Sequence, residues 1–255
     1  MKAKLFRLLR LLEVPGALSA AFRWRKFSLA AYEIVGRLGH AGVMPATVID
    51  VGANEGQFST AAAMRFPSAD IYPIEPDKKT AVLLRKNLPS RVAKNILITA
   101  VGERNGNVTF HVNADSQVSS ILVLGEDRKA FFPDSKVVET IEIPLATLDT
   151  LFQQKKLVPP VLLKIDVQGY EDRVIAGAQA TLSQVDWVMM EVSFAELYEG
   201  ESSFRSILAL MDRVGFDFMR PLNYHMSEIT GEIIEMDALF ANRALVEINK
   251  GEPSI

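Results

Sequence analysis

From Thr47 onward the chain alternates short apolar runs with longer amphipathic stretches, the pattern of strands joined by crossover helices and hence of a mostly parallel sheet. It predicts a first strand at 47–51, a helix over 57–66 that Pro67 ends, a second strand at 70–74, and a helix over 77–87 set up by Pro76. A third strand is expected at 96–101 and a hairpin piece at 107–112, because Asn105-Gly106 is a turn signal. Residues 113–136 are polar and irregular, and loops longer than about 12–15 residues are usually functional or disordered. Residues 137–144 alternate as an edge strand would, 148–155 read as a short helix, and Pro159-Pro160 punctuates the chain before its most apolar strand, 161–165. The remainder reads as a helix over 171–183, a strand at 186–192, a helix over 204–214, a strand after Gly215 and a last strand at 238–248. The expected fold class is therefore α/β, a doubly wound, mostly parallel, Rossmann-like sheet with an N-terminal helical extension.

That extension differs in charge from the rest. Met1 to Leu12 alternates Lys2, Lys4, Arg7 and Arg10 with leucines and Phe6, and Arg7 and Arg10 interrupt the apolar core that a secretory signal needs. Over residues 1–37 eight basic residues face two acidic ones, a formal +6 against a whole-chain net charge of −3. Two readings follow: a helix capping the sheet edge with solvated basic residues, or a peripheral contact with an anionic membrane or glycolipid. The expected division is residues 1–44 as the basic extension and 45–250 as the α/β domain. No run approaches the ~18 consecutive apolar residues of a membrane span. Without an export signal, the expected location is cytoplasmic, with peripheral membrane association left open. A mildly acidic chain of pI about 5.7 argues against nucleic acid as partner. The absence of cysteine excludes disulfides, thiolate zinc sites and a Cys nucleophile.

The most informative run is Val48 to Phe58, a buried strand that stops at Asp50-Val51 and enters a turn containing Gly52 and Gly56 before a helix. In a doubly wound sheet ligands bind at the carboxyl ends of strands, and glycines there let the backbone approach them. Glu75 ends the second strand 25 residues after Asp50, close to the spacing at which an acid reads ribose hydroxyls. The third glycine of a dinucleotide fingerprint is missing. Asp50 and Glu55 would repel a pyrophosphate and would suit a cationic amine or sulfonium, which points to S-adenosylmethionine.

These stretches resemble the FkbM-type S-adenosylmethionine-dependent methyltransferases of the class I fold, over roughly residues 46–243. The similarity is carried by Asp50 to Gly56, Glu75-Pro76, Ala100-Val101-Gly102, Ser119-Ser120-Ile121, Leu148-Asp149 and Lys164 to Glu171, in that order along the chain. One departure is Gln168, where members often carry Glu; Gln keeps the acceptor oxygen. The resemblance implies methyl transfer to a hydroxyl of a sugar, glycan or secondary metabolite. It also implies a donor site at Asp50, Gly52, Asn54, Gly56, Glu75, Val101, Ser119 and Asp166.

Independently of the family, Lys164 and Asp166 share one face of an otherwise apolar strand, and buried charges there require each other or a ligand. For a hydroxyl acceptor a proton acceptor is useful, and the candidates are Asp166, Glu191 at the end of the next strand, and His225 in a polar loop. His40, His111 and His225 form no metal-type cluster, so no metal is expected. Ser119 and Ser120 offer hydroxyls from a lid-like loop, and Phe131-Phe132-Pro133 suits packing beneath it or lining a sugar or lipid pocket. Two other readings stay open: a nicotinamide-dependent oxidoreductase on the same layered fold, and a non-catalytic donor-binding module.

Overall fold

The computed structural model describes residues 11–24, 26–132, 134–227 and 230–246. The basic run through Arg10, together with Arg25, Pro133 and the chain from 247 on, lies outside the described residues. Among the described residues the strands are β1 (Thr47–Val51), β2 (Asp70–Ile74), β3 (Ala100–Val101), β4 (Gly106–Asn113), β5 (Val137–Ala146), β6 (Val161–Ile165), β7 (Trp187–Ser193), β8 (Phe216–Met226) and β9 (Ile233–Asn242). Six of them form the main sheet in the order β2-β1-β6-β7-β9-β8. The first four run parallel, while β9 pairs antiparallel with both β7 and β8.

Every residue of β1 and β6 is buried, as strands covered on both faces must be. On one face, Leu29–His40 and Gln57–Arg65 pack Val35, Leu38, Phe58 and Ala62 with Val48, Leu162 and Met189. On the other, Leu148–Phe152, Glu171–Ala176 and Phe204–Arg213 pack Leu148, Ile175 and Met211 with Ile49, Leu163 and Val188. Each fully buried Val, Leu or Ile contributes about 1.5–3 kcal/mol, so these faces hold the sheet together. Asp77 starts the helix Lys78–Asn87 by accepting from Lys79 N and Thr80 N at 3.1 and 3.0 Å, a cap worth about 1 kcal/mol. The chain passes from β1 outward to β2, whereas β6 lies on β1's other side, so the strand order reverses between β1 and β6 and opens a crevice at their carboxyl ends.

Five sequence expectations change, the first being the last strand, expected at 238–248, which runs over Ile233–Asn242 and ends in a turn. Asn105-Gly106 makes no hairpin with the preceding strand: β3 and β4 flank β5 in a separate three-stranded sheet, β3-β5-β4. The segment expected as an edge strand, β5, is therefore central there, and its alternation arises because Ile141, Ile143 and Leu145 face a small core with Ala100 and Phe110. The third strand shortens to Ala100–Val101, with a single bridge from Leu97 to Ile74 tying it toward the main sheet. The helix over 171–183 is broken into Glu171–Ala176 and Gln179–Leu182 at Gly177, where an added Cβ would lie 2.1 Å from the Gly102 carbonyl oxygen.

Candidate active site at the carboxyl ends of the strands

A cavity of about 520 Å³ opens over the crevice, a size within the usual range of small-molecule sites. Its lining includes Gly52 and Asn54 after β1, Glu75 after β2, Val101 of β3, Asp166 and Gln168 after β6, Glu191 of β7, His225 of β8, and Glu235 and Asp237 of β9. The helix Leu29–His40 contributes Ala30, Ala31 and Ile34, and the polar loop contributes Asp115 to Ser119. With strands about 4.8 Å apart, the sheet spans roughly 24 Å from β2 to β8, with one half of the cavity over β2, β1 and β6 and the other over β7, β9 and β8.

The first half is shaped by backbone. Gly52 has φ 77°, and a Cβ there would meet the Asp166 carbonyl oxygen at 1.9 Å, so the β1 and β6 loops can cross only at glycine. Glu75 Oε2 accepts from Asn54 N at 2.9 Å and Oε1 from Asp77 N at 3.0 Å, which fixes the carboxyl at the cavity wall. Burial pushes Glu75 up to about 7, against the two backbone hydrogen bonds. Ser116 Oγ donates to Asn54 Oδ1 at 3.0 Å, tying the polar loop over this half, and Asn54 Nδ2 is buried without a protein partner. The residues fit S-adenosylmethionine: an acid stands where ribose hydroxyls would lie, and an unpaired amide donor lies near a close backbone approach.

Lys164 joins the two halves. Its Nζ lies 3.2 Å from Asp50 Oδ1 and 3.1 Å from Asp166 Oδ2, and donates to Gly52 O at 3.2 Å. Burial acts against this ammonium, yet the Asp166 and Asp50 carboxylates outweigh it and hold the group above its ordinary value. Asp50 itself is fully buried, accepts from Ser59 Oγ at 2.6 Å, and stands behind the cavity wall rather than in it. Gly56, likewise outside the lining, starts the helix Gln57–Arg65 at φ 95°. Glu55 pairs with Lys26, so the N-terminal segment touches the loop after β1.

The second half is built of side chains. Glu191, directly opposite Asp237 in the β7–β9 register, is pushed well above its ordinary value by burial and then by Asp166, Glu235, Asp237 and Glu171. Burial and Asp166 push Asp237 up to about 7, with Lys164 opposing. His225 is not in a loop: it lies within β8, mostly exposed, with Nδ1 3.2 Å from Glu235 Oε1 and its ring against Phe132. The long bulged strand pairs through Met226, beyond the point where polarity suggested it had ended. Arg128 is buried, lies over the Phe132 ring, and pairs with Glu235 at 3.7 Å.

The two serines part company. Ser119 lines the cavity and accepts from Asn113 N at 2.9 Å, whereas Ser120 is buried, donating to the Gln168 carbonyl at 2.6 Å. Sequence reasoning missed Glu235, Asp237 and Arg128. The alternation of acids in Glu235-Met236-Asp237 was a usable signal for one face of a strand, but nothing marked Arg128.

A model of the methyltransferase FkbM domain matches residues 50–218, two thirds of the chain. The chain belongs to the FkbM methyltransferase family. It is 30% identical over 173 residues to the 2-O-methyltransferase NoeI of Sinorhizobium fredii, covering 64% of this chain and 70% of that one. To the 31-O-demethyl-FK506 methyltransferase FkbM of Streptomyces tacrolimicus it is 27% identical over 224 residues, 79% of this chain and 78% of that one. Among solved structures, a magnesium protoporphyrin IX methyltransferase from Synechocystis PCC 6803 with bound S-adenosylmethionine matches with TM-score 0.45 and 13% identity, over 83% of this chain and 77% of that one. This FkbM-family chain is an S-adenosylmethionine-dependent O-methyltransferase, and the oxidoreductase and non-catalytic readings are not favoured. No helix among the described residues is long and apolar enough to cross a membrane.

Proposed function

We propose that the acceptor is a sugar hydroxyl of a glycan, and that it enters over β7, β9 and β8. The observation that carries this reading is the lining of that half: Glu191, Glu235 and Asp237 with Asn223, His225 and the Phe132 ring, next to Asp166 at its border. Closely spaced acceptor oxygens suit vicinal hydroxyls, and an aromatic ring suits the apolar face of a pyranose. The name of the NoeI relative, a 2-O-methyltransferase, supports a hydroxyl acceptor. A hydroxyl of a secondary metabolite is the second reading, and the name of the FkbM relative, a 31-O-demethyl-FK506 methyltransferase, supports it.

In this proposal Glu75 binds the donor ribose, Asn54 and Ser119 meet its amino-acid part, Gly52 and Val101 bound its cleft, and Asp50 and Gly56 hold the loop in shape. Bound S-adenosylmethionine supplies an electrophilic methyl group on a sulfonium whose charge vanishes on transfer, so alignment does most of the work. Asp166 orients the reacting groups, with Glu191 and His225 as the remaining candidates for the acceptor proton. Residues 45–250 carry the chemistry and residues 1–44 the basic extension. That extension exposes Leu18 and Phe22 beside Arg23, which supports peripheral contact with an anionic glycolipid surface. Sedimentation with anionic and zwitterionic vesicles tests this last point; equal binding to both, or to neither, removes it.

The test of the main reading is transfer of labelled methyl from S-adenosylmethionine to a panel of oligosaccharides and of polycyclic alcohols. Labelling confined to saccharides is expected. Labelling of the alcohols alone overturns the sugar acceptor in favour of the second reading.

A further inference from the structure

Gln168 is neither acid, base nor nucleophile, yet it sits at the centre of the site. Its backbone has φ 60°, a left-handed conformation that costs a side chain of this kind on the order of 1 kcal/mol. The surroundings hold it there: Ser120 Oγ donates to its carbonyl at 2.6 Å, and Gly169 follows at φ 95°. The side-chain amide is bonded on every side. Nε2 donates to Asp166 Oδ1 at 2.8 Å and to Glu191 Oε2 at 2.7 Å. Oε1 accepts from the Tyr198 hydroxyl at 2.7 Å, and that hydroxyl also lies 3.1 Å from the Val118 carbonyl. The orientation is thereby fixed, because the flipped amide would turn its oxygen toward two carboxylates.

We propose that Gln168 is a positioning residue for methyl transfer: its amide fixes one oxygen of Asp166 and one of Glu191, leaving Glu191 Oε1 to accept the proton of the acceptor hydroxyl. The inference rests on the acceptor-side reading of Glu191. In the step, the hydroxyl oxygen bonds to the methyl carbon, the methyl–sulfur bond breaks with its electron pair left on sulfur, and the hydroxyl proton passes to Glu191.

The geometry explains what the amide does in this chain. Glu191 faces Asp166 and Glu171 from the segment after β6, and Glu235 and Asp237 from β9. The neighbouring cations are already engaged: Lys164 with Asp50 and Asp166, Arg128 with Glu235, while His225 contacts Glu235 as well. The carboxylate form of Glu191 is thus opposed by like charge on two sides, and an N–H bond to that form is what favours it. A third carboxylate in place of the amide would do the opposite.

The test reads Glu191 directly in the full-length protein, by carbon NMR of labelled glutamate side chains, with Glu191→Gln identifying its signal. Replacing the amide in Gln168→Leu is expected to raise the Glu191 midpoint by about one unit, and Gln168→Glu by more. Tyr198→Phe, which leaves the amide in place but frees its orientation, is expected to give a smaller rise. Binding of S-adenosylhomocysteine, measured by titration, stays within about threefold of wild type in each, which also reports folding. With a saccharide that accepts label, the acidic limb of the kcat profile should move with the NMR midpoint while KM changes little. An unmoved Glu191 midpoint in both Gln168→Glu and Tyr198→Phe overturns the proposal. Retained turnover in Glu191→Gln overturns instead the reading of Glu191 on which it rests, and the two failures are separately visible.

Discussion

The two halves of the cavity are built by opposite means. Over β2, β1 and β6 the wall is set by backbone and by hydrogen bonds within short loops: Gly52 against the Asp166 carbonyl, and Glu75 held by Asn54 N and Asp77 N. Over β7, β9 and β8 the wall is set by side chains converging from distant parts of the chain, with Glu191, Asp237 and Glu235 brought together by antiparallel pairing. The first arrangement suits one invariant ligand, the donor, whose shape the backbone can match. The second suits an acceptor specified by the positions of carboxyl oxygens, which can change one by one without disturbing the donor cleft.

Lys164 lies where the halves meet, so its loss should break both at once. Lys164→Met leaves Asp50 buried without its cationic partner and is expected to cost about 3–5 kcal/mol of stability by urea unfolding. Intact stability would mean that the Lys164–Asp50 pair adds nothing net to folding. Glu75→Ala should divide the halves cleanly: loss of a charged hydrogen-bonding group, about 1.5–3 kcal/mol, predicts donor binding weakened roughly 10–100-fold by calorimetry, with acceptor KM little changed. Equal loss on both sides would show that the donor and acceptor walls are not separable.

A pH effect sharpens the contrast. Burial raises Glu171 to about 8 from 4.5, so the folded chain binds this proton more tightly than the unfolded chain. Its protonated form costs nothing below the unfolded value, and stability declines as pH rises from about 4.5 through about 8. Glu171→Gln keeps an oxygen to accept from Val167 N without the charge. It should therefore gain on wild type by on the order of 2 kcal/mol between pH 5 and pH 9, read as diverging melting temperatures. Parallel melting curves would place the proton elsewhere. The smallest effect is expected at His225, whose ring is mostly exposed: His225→Ala should change kcat by less than about threefold. A larger loss would promote it over Glu191 as proton acceptor.

The half over β2, β1 and β6 was legible in the sequence because it is local. The strand at 47–51, its glycine turn and the acid ending the strand at 70–74 lie within one β-α-β unit, and each boundary carries its own signal in proline, glycine or apolar run. Lys164 and Asp166 could be placed on one face by strand alternation alone. The acceptor half was legible only in part. Glu191 stood out as an acid ending a buried run, but His225 was assigned to a loop, because an exposed, bulged edge strand has the polarity of one.

The sequence by itself therefore determined the doubly wound fold class, through periodicity, and pointed to the donor, through the glycine turn, the acids at Asp50 and Glu75 and the family motifs. Only the tertiary structure decided that β5 is central to a second sheet, that Asp50 supports the wall rather than lining it, and that the Gln168 amide stands between Asp166 and Glu191 under Tyr198. Those facts depend on contacts between distant parts of the chain, such as Gln168 with Glu191 and Tyr198 and β9 with β7. No local pattern specifies such contacts, because they form only when burial of the two apolar faces brings the strands into register.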